Sequence, residues 1–417
     1  MVAGSGAVDI ESLIKLLARS SVPEATVLVH GKRLTAVHAT WVNGAMARAR
    51  EMDDSHDVSA HHISVPLMPA ALSAIELMES VDGRDLLLAY ALAADFAARL
   101  RLASHHGPGE SAFAGATYAP FSAAAISAKL LGLKGSEMYN ALAWAYAQCA
   151  GALQLQQSGN SALHVQHGLA AATGLQATLL ARQKLPGPDD FLTGKFGFYA
   201  AYDGGPPDLG RMFDGLGERY EVTQVSMRRY PCGRVTHPAI EAAIALHTEE
   251  KIVPEEIQDV SVIYSARAFR MTCEPESERR IPTTPQHAKF SLYYCVARGL
   301  AKGRVGLGDF TDETVTDPIV RDLCAKISVE IDPSIRGKPG GDVTVTLKDG
   351  RKLRRQVPIP KGTPQRPCSY EEYAEKFRDC VTFAAKPISE RNVAGTIDYV
   401  ADLDSAKDVR EIVRLLT

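Results

Sequence analysis

The sequence predicts a mainly α-helical protein with an α+β part: a large all-helical domain built from both ends of the chain, and a smaller α+β domain between them. Alanine- and leucine-rich runs at helical spacing fill the first half. Short runs rich in β-branched residues appear in the segment after residue 224, and helical patterns return from Ser369. We therefore predict a helical domain from residues 1–224 and 369–417, with the α+β domain at residues 225–368.

The helices of the first half are predicted from the spacing and type of the apolar residues. Apolar side chains recur at helical spacing from Ile10 to Leu17, as on one face of a helix. The later runs are rich in alanine, whose small side chain lets helix axes approach one another closely. These runs predict helices at Leu86–Leu100, Ala123–Leu133, Tyr139–Leu155 and Gly168–Gln183.

Strands and helices alternate in the middle of the chain. Val260–Tyr264 is rich in β-branched residues and Ile327–Ile331 alternates apolar with polar side chains, so both are predicted strands. Asp342–Leu347 and Arg351–Val357 flank an Asp-Gly pair, which predicts a β-hairpin with a tight turn. Helical patterns lie between the strands, at Pro238–Glu250 and Ser291–Lys302.

The last segment returns to helical patterns. Ser369 and Glu372 have the spacing of a capping box, in which each side chain bonds the backbone N–H of the other residue at the start of a helix. A final helix is predicted at Ala406–Leu416.

Composition and charge exclude several classes of protein. The chain has 417 residues, 46% hydrophobic and 23% charged, which is typical of globular proteins. Its formal net charge of −3 leaves no basic field for nucleic acid or anionic lipid. It has no apolar run of the ~20 residues that a membrane-spanning helix needs, and Met1–Asp9 lacks the features of a signal peptide. We therefore predict no nucleic-acid partner and no membrane partner.

The cysteines indicate a reducing compartment. There are seven, an odd number, and no two of them form a Cys-x-x-Cys pair. This distribution predicts no structural zinc site, no iron–sulfur cluster and no disulfide framework. Reduced thiols in a cytoplasmic protein fit the pattern best. The cysteines are Cys149, Cys232, Cys273, Cys295, Cys324, Cys368 and Cys380.

An acidic and histidine-rich segment is the first candidate for chemistry. Glu51–Asp57 is followed closely by His61 and His62, so that acids and histidines crowd a short stretch. Composition alone favours a solvated loop between helices, because charged clusters usually face water. A metal site is the alternative, although the spacing matches no metal-binding motif.

A second candidate is Tyr230–Pro238, which leads into a predicted helix. Thr236 is placed to cap that helix, and Pro238 falls in its first turn. Arg228, Arg229 and Arg234 add positive charge nearby. A helix N-terminus beside several arginines can bind a carboxylate. A capped helix with surface arginines explains the same residues equally well.

Two further groups of histidines are weaker candidates. His164 and His167 lie three residues apart on a predicted helix and so share a face. A structural hydrogen bond is the more common role for such histidines than catalysis or ligation. His105–Glu110 is a predicted flexible loop, and such loops carry function only in some proteins.

Several of these stretches, in this order, resemble the MmgE/PrpD family. Trp41–Ala47 and Glu51–His56 resemble the stretch that leads into the family's acidic motif. Arg229–Ala243 resembles its Tyr-Pro and Thr-His-Pro signature. The other matching stretches are Val65–Leu72, Lys289–Ala297 and Gly303–Glu313. The resemblance extends from about residue 25 to the C-terminus, and the chain begins later than a typical member, which suggests a shortened protein or one completed by a partner.

The resemblance implies a fold, a chemistry and an assembly. The family combines a large helical domain with a smaller α+β lid domain, usually as a homodimer, and uses neither a metal nor an organic cofactor. It comprises 2-methylcitrate dehydratases, cis-aconitate decarboxylases and an iminodisuccinate epimerase. Their shared step removes a proton beside a carboxylate. The resemblance favours a dehydratase-like lyase acting on a small di- or tricarboxylic acid. The alternatives are an epimerase of a dicarboxylic acid and a carboxylate-binding homologue without turnover.

The resemblance also implies site residues. Together with the chemistry of the side chains, it assigns catalytic roles to three residues, which are His61, His237 and Asp53. It assigns substrate-binding roles to a second set, which is Glu51, Ser55, Arg228, Arg234, His164 and Lys289. The chain departs from the family pattern at two positions: Phe113 stands where a histidine is expected, and the lysine expected near Ser158 is absent. These departures weaken the decarboxylase hypothesis most.

A first prediction concerns metal content. Because no ligand spacing in the sequence matches a metal motif, we expect the purified protein to contain no stoichiometric metal and its turnover to survive chelators. Elemental analysis and assays with EDTA check this. About one bound metal per chain, with turnover lost when the metal is removed, would contradict the prediction.

Overall fold

The structure, a computed structural model, describes residues 1–106, 113, 115–157, 160–335 and 341–417. The chain divides into two units. The helical unit comprises Met1–Ser226 and Ser369–Thr417, and the α+β unit comprises Met227–Cys368. The fold class predicted from the sequence, mainly α with a smaller α+β part, is confirmed.

The described helices follow the chain in three groups. The first part of the helical unit contains α1 (Ile10–Leu17), α2 (Ala36–Arg48), α3 (Ser64–Glu76), α4 (Gly83–Leu102), α5 (Ala119–Leu130), α6 (Ser136–Tyr146), α7 (Gln154–Gln157), α8 (Ala162–Arg182), α9 (Phe198–Tyr202) and α10 (Leu209–Phe213). The α+β unit contains α11 (His237–Glu250), α12 (Ala266–Thr272), α13 (Glu276–Arg279), α14 (Pro285–Lys289), α15 (Leu292–Lys302) and α16 (Pro318–Lys326). The chain ends with α17 (Tyr370–Thr382), α18 (Glu390–Ala401) and α19 (Glu411–Leu415).

The described strands are short in the helical unit and longer in the α+β unit. They are β1 (Ala25–Val27), β2 (Lys32–Leu34), β3 (Asp54–His56), β4 (Val225–Met227), β5 (Ile257–Tyr264), β6 (Ile327–Ile331), β7 (Gly341–Leu347) and β8 (Lys352–Val357). The first two pair antiparallel, with Thr26 opposite Arg33.

Helix α8 is the centre of the helical unit, because it packs against α2, α5 and α6. Two glycines on α8 allow the close approach of its neighbours. A Cβ atom on Gly168 would lie 2.6 Å from the backbone nitrogen of Ala45 on α2. A Cβ atom on Gly174 would lie 2.7 Å from the backbone nitrogen of Ala124 on α5. Side chains at these positions would therefore force the helices apart.

The α+β unit is built on a sheet with strand order β6-β5-β7-β8. Strands β5 and β6 run parallel, whereas β5–β7 and β7–β8 are antiparallel. The predicted hairpin is confirmed, and Gly350 has the positive φ of 88° that the Asp-Gly turn requires. A Cβ atom on Gly341 would lie 2.5 Å from the backbone nitrogen of Ala239, so β7 begins against the first turn of α11.

The starts of several helices show how local sequence sets their ends. The predicted capping box of Ser369 and Glu372 is confirmed at the start of α17. Pro238 lies in the first turn of α11, as predicted. The prediction that Thr236 caps this helix is wrong, because its hydroxyl donates instead to the carbonyl of Gly233 at 2.8 Å.

Two predicted helices are shorter than the sequence patterns indicate. The helix predicted at Tyr139–Leu155 ends at Tyr146, and the chain turns at Gly151, whose φ of 148° is a left-handed conformation that favours glycine. The final helix predicted at Ala406–Leu416 is reduced to Glu411–Leu415. The carboxylate of Asp408 accepts the backbone N–H of Arg410 at 3.2 Å, and this turn competes with a helix.

Among the residues that the structure describes, no helix combines the length and the apolar composition needed to cross a lipid bilayer.

A second prediction concerns the contact between α2 and α8. We expect Gly168→Ala to lower the free energy of unfolding by about 1–3 kcal/mol, because the added methyl group overlaps the backbone of α2. Denaturant unfolding measures the change. Gly395→Ala is the matched control, since it lies inside α18 and its Cβ would meet only the end of the Leu415 side chain at 3.3 Å. Equal effects of the two substitutions would contradict the proposed close contact.

Candidate functional site

The segment between α2 and α3 is a strained loop. Glu51 and Ala60 have positive φ values of 53° and 49°, a conformation that non-glycine residues rarely adopt. The backbone N–H of His56 donates to the carbonyl of His61 at 2.9 Å, which closes the loop between them. Strain of this kind persists only where surrounding contacts hold it, and it is common at functional sites.

Three contacts anchor this loop to the helical unit. The carboxylate of Asp54 accepts the backbone N–H and the hydroxyl of Ser64 at 2.9 and 2.6 Å, at the start of α3. Burial raises the pKa of Asp54, although these hydrogen bonds oppose the increase. His56 accepts the backbone N–H of Ser59 at Nδ1, so its Nε2 carries the proton donated to Glu221 at 3.2 Å. Burial lowers the pKa of His56.

The solvated-loop interpretation of this segment is wrong. Glu51, Asp54 and His56 are each no more than 2% exposed, and Ser55 is also buried. Asp57 is exposed, and its carboxylate accepts the hydroxyl of Ser226 at 2.7 Å. Acidic side chains are rarely buried without partners, so composition alone predicts that such a cluster is solvated. In the folded chain these side chains are buried because protein groups supply the hydrogen bonds that water would otherwise provide.

Arg48, at the end of α2, joins two of the predicted site residues. Its guanidinium forms a buried ion pair with Glu51 and lies 3.5 Å from the carboxylate of Asp53. The other oxygen of Asp53 lies 2.6 Å from Nδ1 of His62. A carboxylate only accepts hydrogen bonds at neutral pH, so His62 donates from Nδ1. The carboxylate of Asp53 therefore bonds His62, the residue that follows His61.

His61 has a different environment. It is 1% exposed, and its Nε2 lies 3.4 Å from the hydroxyl of Ser122 on α5. The Ser122 hydroxyl donates its hydrogen to the carbonyl of Tyr118, also at 3.4 Å. It therefore accepts the bond with His61, and His61 carries its proton on Nε2. Its Nδ1 is buried and has no hydrogen-bond partner among the described residues. Nδ1 therefore carries a lone pair that nothing in the described chain uses.

Burial lowers the pKa of His61 to about 3, and the nearby His62, Arg101, His56 and His167 act in the same direction. His61 is therefore neutral near pH 7. A bound polyanion would shift its pKa upward, because negative charge stabilises the protonated imidazole.

The two histidines on α8 differ from each other. His167 is buried and donates from Nδ1 to the carbonyl of Leu163 at 2.8 Å, which is the structural role considered for it. Burial lowers its pKa to about 3. Its ring also meets the edge of His62, with ring centroids 6.1 Å apart. His164 is half-buried in the first turn of the helix.

The candidate segment of the α+β unit is built around the start of α11. His237 is fully buried as the first residue of the helix, and its ring lies 5.1 Å from that of Tyr230 in an edge-to-face arrangement. Burial raises the pKa of the Tyr230 hydroxyl. The backbone N–H of Gly233 donates to the carbonyl of Lys289 at 2.8 Å. This bond fixes the end of α14 beside the segment.

The cationic side chains of this segment are mostly buried. Arg228, Arg234 and Lys289 are 4%, 9% and 6% exposed, whereas Arg229 is exposed. The interpretation as surface arginines is therefore wrong for Arg228 and Arg234. Buried cations are costly unless anions or dipoles compensate them.

The positions where the chain departs from the family pattern are partly described. Phe113 packs edge-to-face on Tyr202, with ring centroids 4.9 Å apart. His105 donates through Nε2 to the carbonyl of Pro206 at 2.5 Å. Ser158 and the residues from Gly107 to Glu110 lie outside the described residues.

No group of three or more His, Cys, Asp or Glu side chains within residues 1–106, 113, 115–157, 160–335 and 341–417 is arranged to hold a metal ion. Five of the cysteines are buried thiols, namely Cys149, Cys232, Cys273, Cys295 and Cys324.

Two residues of the helical unit's site, Arg48 and Ser122, were not predicted from the sequence. The spacing of Arg48 and Glu51 matches an i,i+3 pair and could have revealed that contact. No local pattern indicates Ser122, because it lies 61 residues from His61. His62 was noted in the cluster, but no sequence pattern distinguishes it from His61 as the partner of Asp53.

Comparison with known proteins agrees with the resemblance. Residues 1–209 match the MmgE/PrpD N-terminal domain, and residues 230–398 match the MmgE/PrpD C-terminal domain. The chain is 26% identical over 400 residues to the cis-aconitate decarboxylase of Mus musculus, covering 92% of this chain and 79% of that protein. It is 27% identical over 412 residues to the Aspergillus terreus enzyme of the same name (94% and 83%), and 25% over 393 residues to that of Homo sapiens (92% and 80%).

A third prediction follows from the buried histidines. Folding lowers the pKa of His61 from about 6.5 to about 3, so between these values the unfolded chain binds a proton that the folded chain does not. Stability should therefore fall as the pH drops below about 6.5, by at most about 1.4 kcal/mol per pH unit for this residue. His61→Gln should remove that share of the slope. Denaturant unfolding between pH 5 and pH 7 measures it.

Ser122→Ala is the matched control for that experiment. It removes the partner of Nε2 but keeps the imidazole of His61 buried, so the pH dependence should remain. If His61→Gln and the parent protein lost stability with the same slope, the burial of a neutral His61 would be contradicted.

Proposed function

The chain belongs to the MmgE/PrpD family, and from that premise we propose that it is a cofactor-independent lyase acting on a small di- or tricarboxylic acid. In the proposed reaction, a proton is removed from the carbon beside a carboxylate and water is lost, as in a 2-methylcitrate dehydratase. The curated relatives support a lyase at the level of the family.

The observation that carries this proposal is the unused lone pair of His61. A hydrogen on a carbon beside a carboxylate is very weakly acidic, so its removal needs a base placed within hydrogen-bond reach. His61 is neutral, buried and held by Ser122 at Nε2, and its Nδ1 lacks a partner among the described residues. Leaving such an atom unpaired costs about 1–3 kcal/mol. A substrate hydrogen directed at Nδ1 would make use of that atom.

Removal of the proton places negative charge on the adjacent carboxylate, and the α+β unit supplies groups suited to that charge. We propose that Arg228, Arg234 and Lys289 bind the substrate carboxylates together with the N-terminus of α11, where His237 lies. Preformed cations in a water-poor site stabilise developing charge without having to reorganise. In this proposal Ser55 and Glu51 select the hydroxyl groups of the substrate.

Decarboxylation is the second candidate, because the curated relatives are named cis-aconitate decarboxylases. In that reaction the bond to a carboxylate breaks, and the carbon then takes up a proton. The unused lone pair of His61 favours dehydration, since a proton acceptor begins that reaction. Phe113, in place of an expected histidine, argues in the same direction.

Incubation of the protein with 2-methylcitrate, citrate and cis-aconitate in deuterated water separates these candidates. An unsaturated product with release of water supports the dehydratase, and carbon dioxide release from cis-aconitate supports the decarboxylase. Deuterium at the α-carbon without elimination means that the protein is an epimerase. If none of these acids exchanges or reacts, and a wider set of dicarboxylates gives the same result, the proposed lyase activity is wrong.

A fourth prediction tests the two histidines that the proposal assigns to one reaction. We expect His61→Ala and His237→Ala each to lower kcat/KM by about 10²-fold or more, since each removes a group that acts on the substrate. If both act on one substrate, the double variant should lose much less than the product of the single losses. Steady-state kinetics measure these changes.

His30→Ala is the control, because His30 contacts the carbonyl of Ser5 and has no role in the proposed site. It should keep the kinetics of the parent protein. Melting temperatures should stay nearly constant in the histidine variants that lose activity. Normal turnover in His61→Ala would contradict the assignment of the base.

A further inference from the structure

The pair formed by His62 and Asp53 has the geometry of a proton-transfer pair. Their hydrogen bond of 2.6 Å is short for a nitrogen–oxygen bond, as expected for one to a charged acceptor. The side chain of Asp53 is 4% exposed, whereas that of His62 is 20% exposed. The carboxylate is therefore buried, whereas the imidazole is partly exposed. With Nδ1 donating to Asp53, Nε2 is the atom that exchanges a proton.

The two neighbouring histidines are held in opposite environments. His61 is buried, its Nε2 bonds the hydroxyl of Ser122, and its Nδ1 has no hydrogen-bond partner among the described residues. His62 bonds a carboxylate directly and is the most exposed of the imidazoles gathered here, since His56 and His167 are also buried. An imidazole with an unpaired nitrogen therefore lies next to one that bonds a carboxylate, an arrangement suited to accepting a proton at the first and donating one from the second.

Resting on the proposed lyase function, we propose that His62 is a second catalytic residue, which donates a proton from Nε2 to the leaving hydroxyl group, and that Asp53 is its positioning residue. His61 takes the α-proton at Nδ1, and the electrons of that bond form the carbon–carbon double bond. The carbon–oxygen bond breaks, its electron pair leaves with the oxygen, and the proton from His62 completes a water molecule. Solvent then removes the proton from His61 and returns one to His62.

Other charged and titratable groups face His62 from the elements around it. Arg48 of α2 lies 3.5 Å from the other oxygen of Asp53 and helps to hold that carboxylate in place. His167 of α8 meets the edge of the His62 ring, and Asp54 and His61 lie in the same loop. Asp53 is the carboxylate that stabilises the imidazolium which donates the proton, as a buried carboxylate does for histidine in other enzymes.

The test compares two replacements of His62 on the substrate that the parent protein converts. Glutamine can still donate a hydrogen bond to Asp53, but it cannot carry a proton. We therefore expect His62→Gln to lower kcat by about 10²-fold or more while KM changes only a few-fold. The limb of the pH profile of kcat that requires a protonated acid should disappear. Added imidazole should restore part of the turnover of His62→Ala.

Asp53→Asn tests the positioning role. The amide no longer requires Nδ1–H of His62, so the imidazole can adopt the other tautomer. We expect a loss in kcat of about 10-fold or more and a displaced pH profile. The nitrogen NMR spectrum of His62 should show a proton on Nδ1 in the parent protein. That signal should move or disappear in Asp53→Asn.

His247→Gln is the control, since His247 bonds the carbonyl of Leu300 in the α+β unit and should be replaceable without loss. Full activity of His62→Gln, in a protein that loses activity on His61→Gln, overturns the role of His62 and leaves the lyase proposal intact. A purely structural role for His62 would likewise appear as rescue by glutamine. Absence of turnover in the parent protein overturns the proposed lyase and this inference together.

Discussion

The close approach of α2 and α8 is the contact on which the site of the helical unit depends. Gly44 and Gly168 face each other, and a Cβ atom on Gly44 would lie 2.7 Å from the Cα of Gly168. Trp41 reinforces the contact by donating its indole N–H to the carbonyl of Val165 at 3.0 Å. Arg48 is the last residue of α2, and His167 lies next to Gly168 on α8. The close backbone contact between the two helices therefore fixes the positions from which both side chains extend. The loop that carries Asp53 and His62 then closes between them.

The site also illustrates how burial separates two identical side chains. His61 lies against α5, where burial and neighbouring imidazoles disfavour its charged form. His62 is the next residue, yet it meets a carboxylate that Arg48 holds from the other side. The loop that carries both histidines has positive φ angles at Glu51 and Ala60, which non-glycine residues rarely adopt.

The sequence patterns predicted some elements much better than others. Strand β6 at Ile327–Ile331 and helix α1 at Ile10–Leu17 were predicted to the residue, because alternation and helical spacing are local properties. The ends of α6 and α19 were not, since they depend on a turn at Gly151 and on the side chain of Asp408. Burial was misjudged at Glu51 and Arg228 because composition alone cannot show which charges acquire partners.

The sequence by itself determined the fold class, the hairpin turn at Gly350, the capping box of Ser369 and the family, because each rests on residues that are close together or on motifs in a fixed order. Tertiary structure alone decided that His62 bonds Asp53 and that His61 bonds Ser122. The first bond spans nine residues of a loop with positive φ angles, and the second spans 61 residues between a loop and a helix. Hydrogen bonds are short and directional, so only the packed positions of α2, α5 and α8 can select one partner over the other.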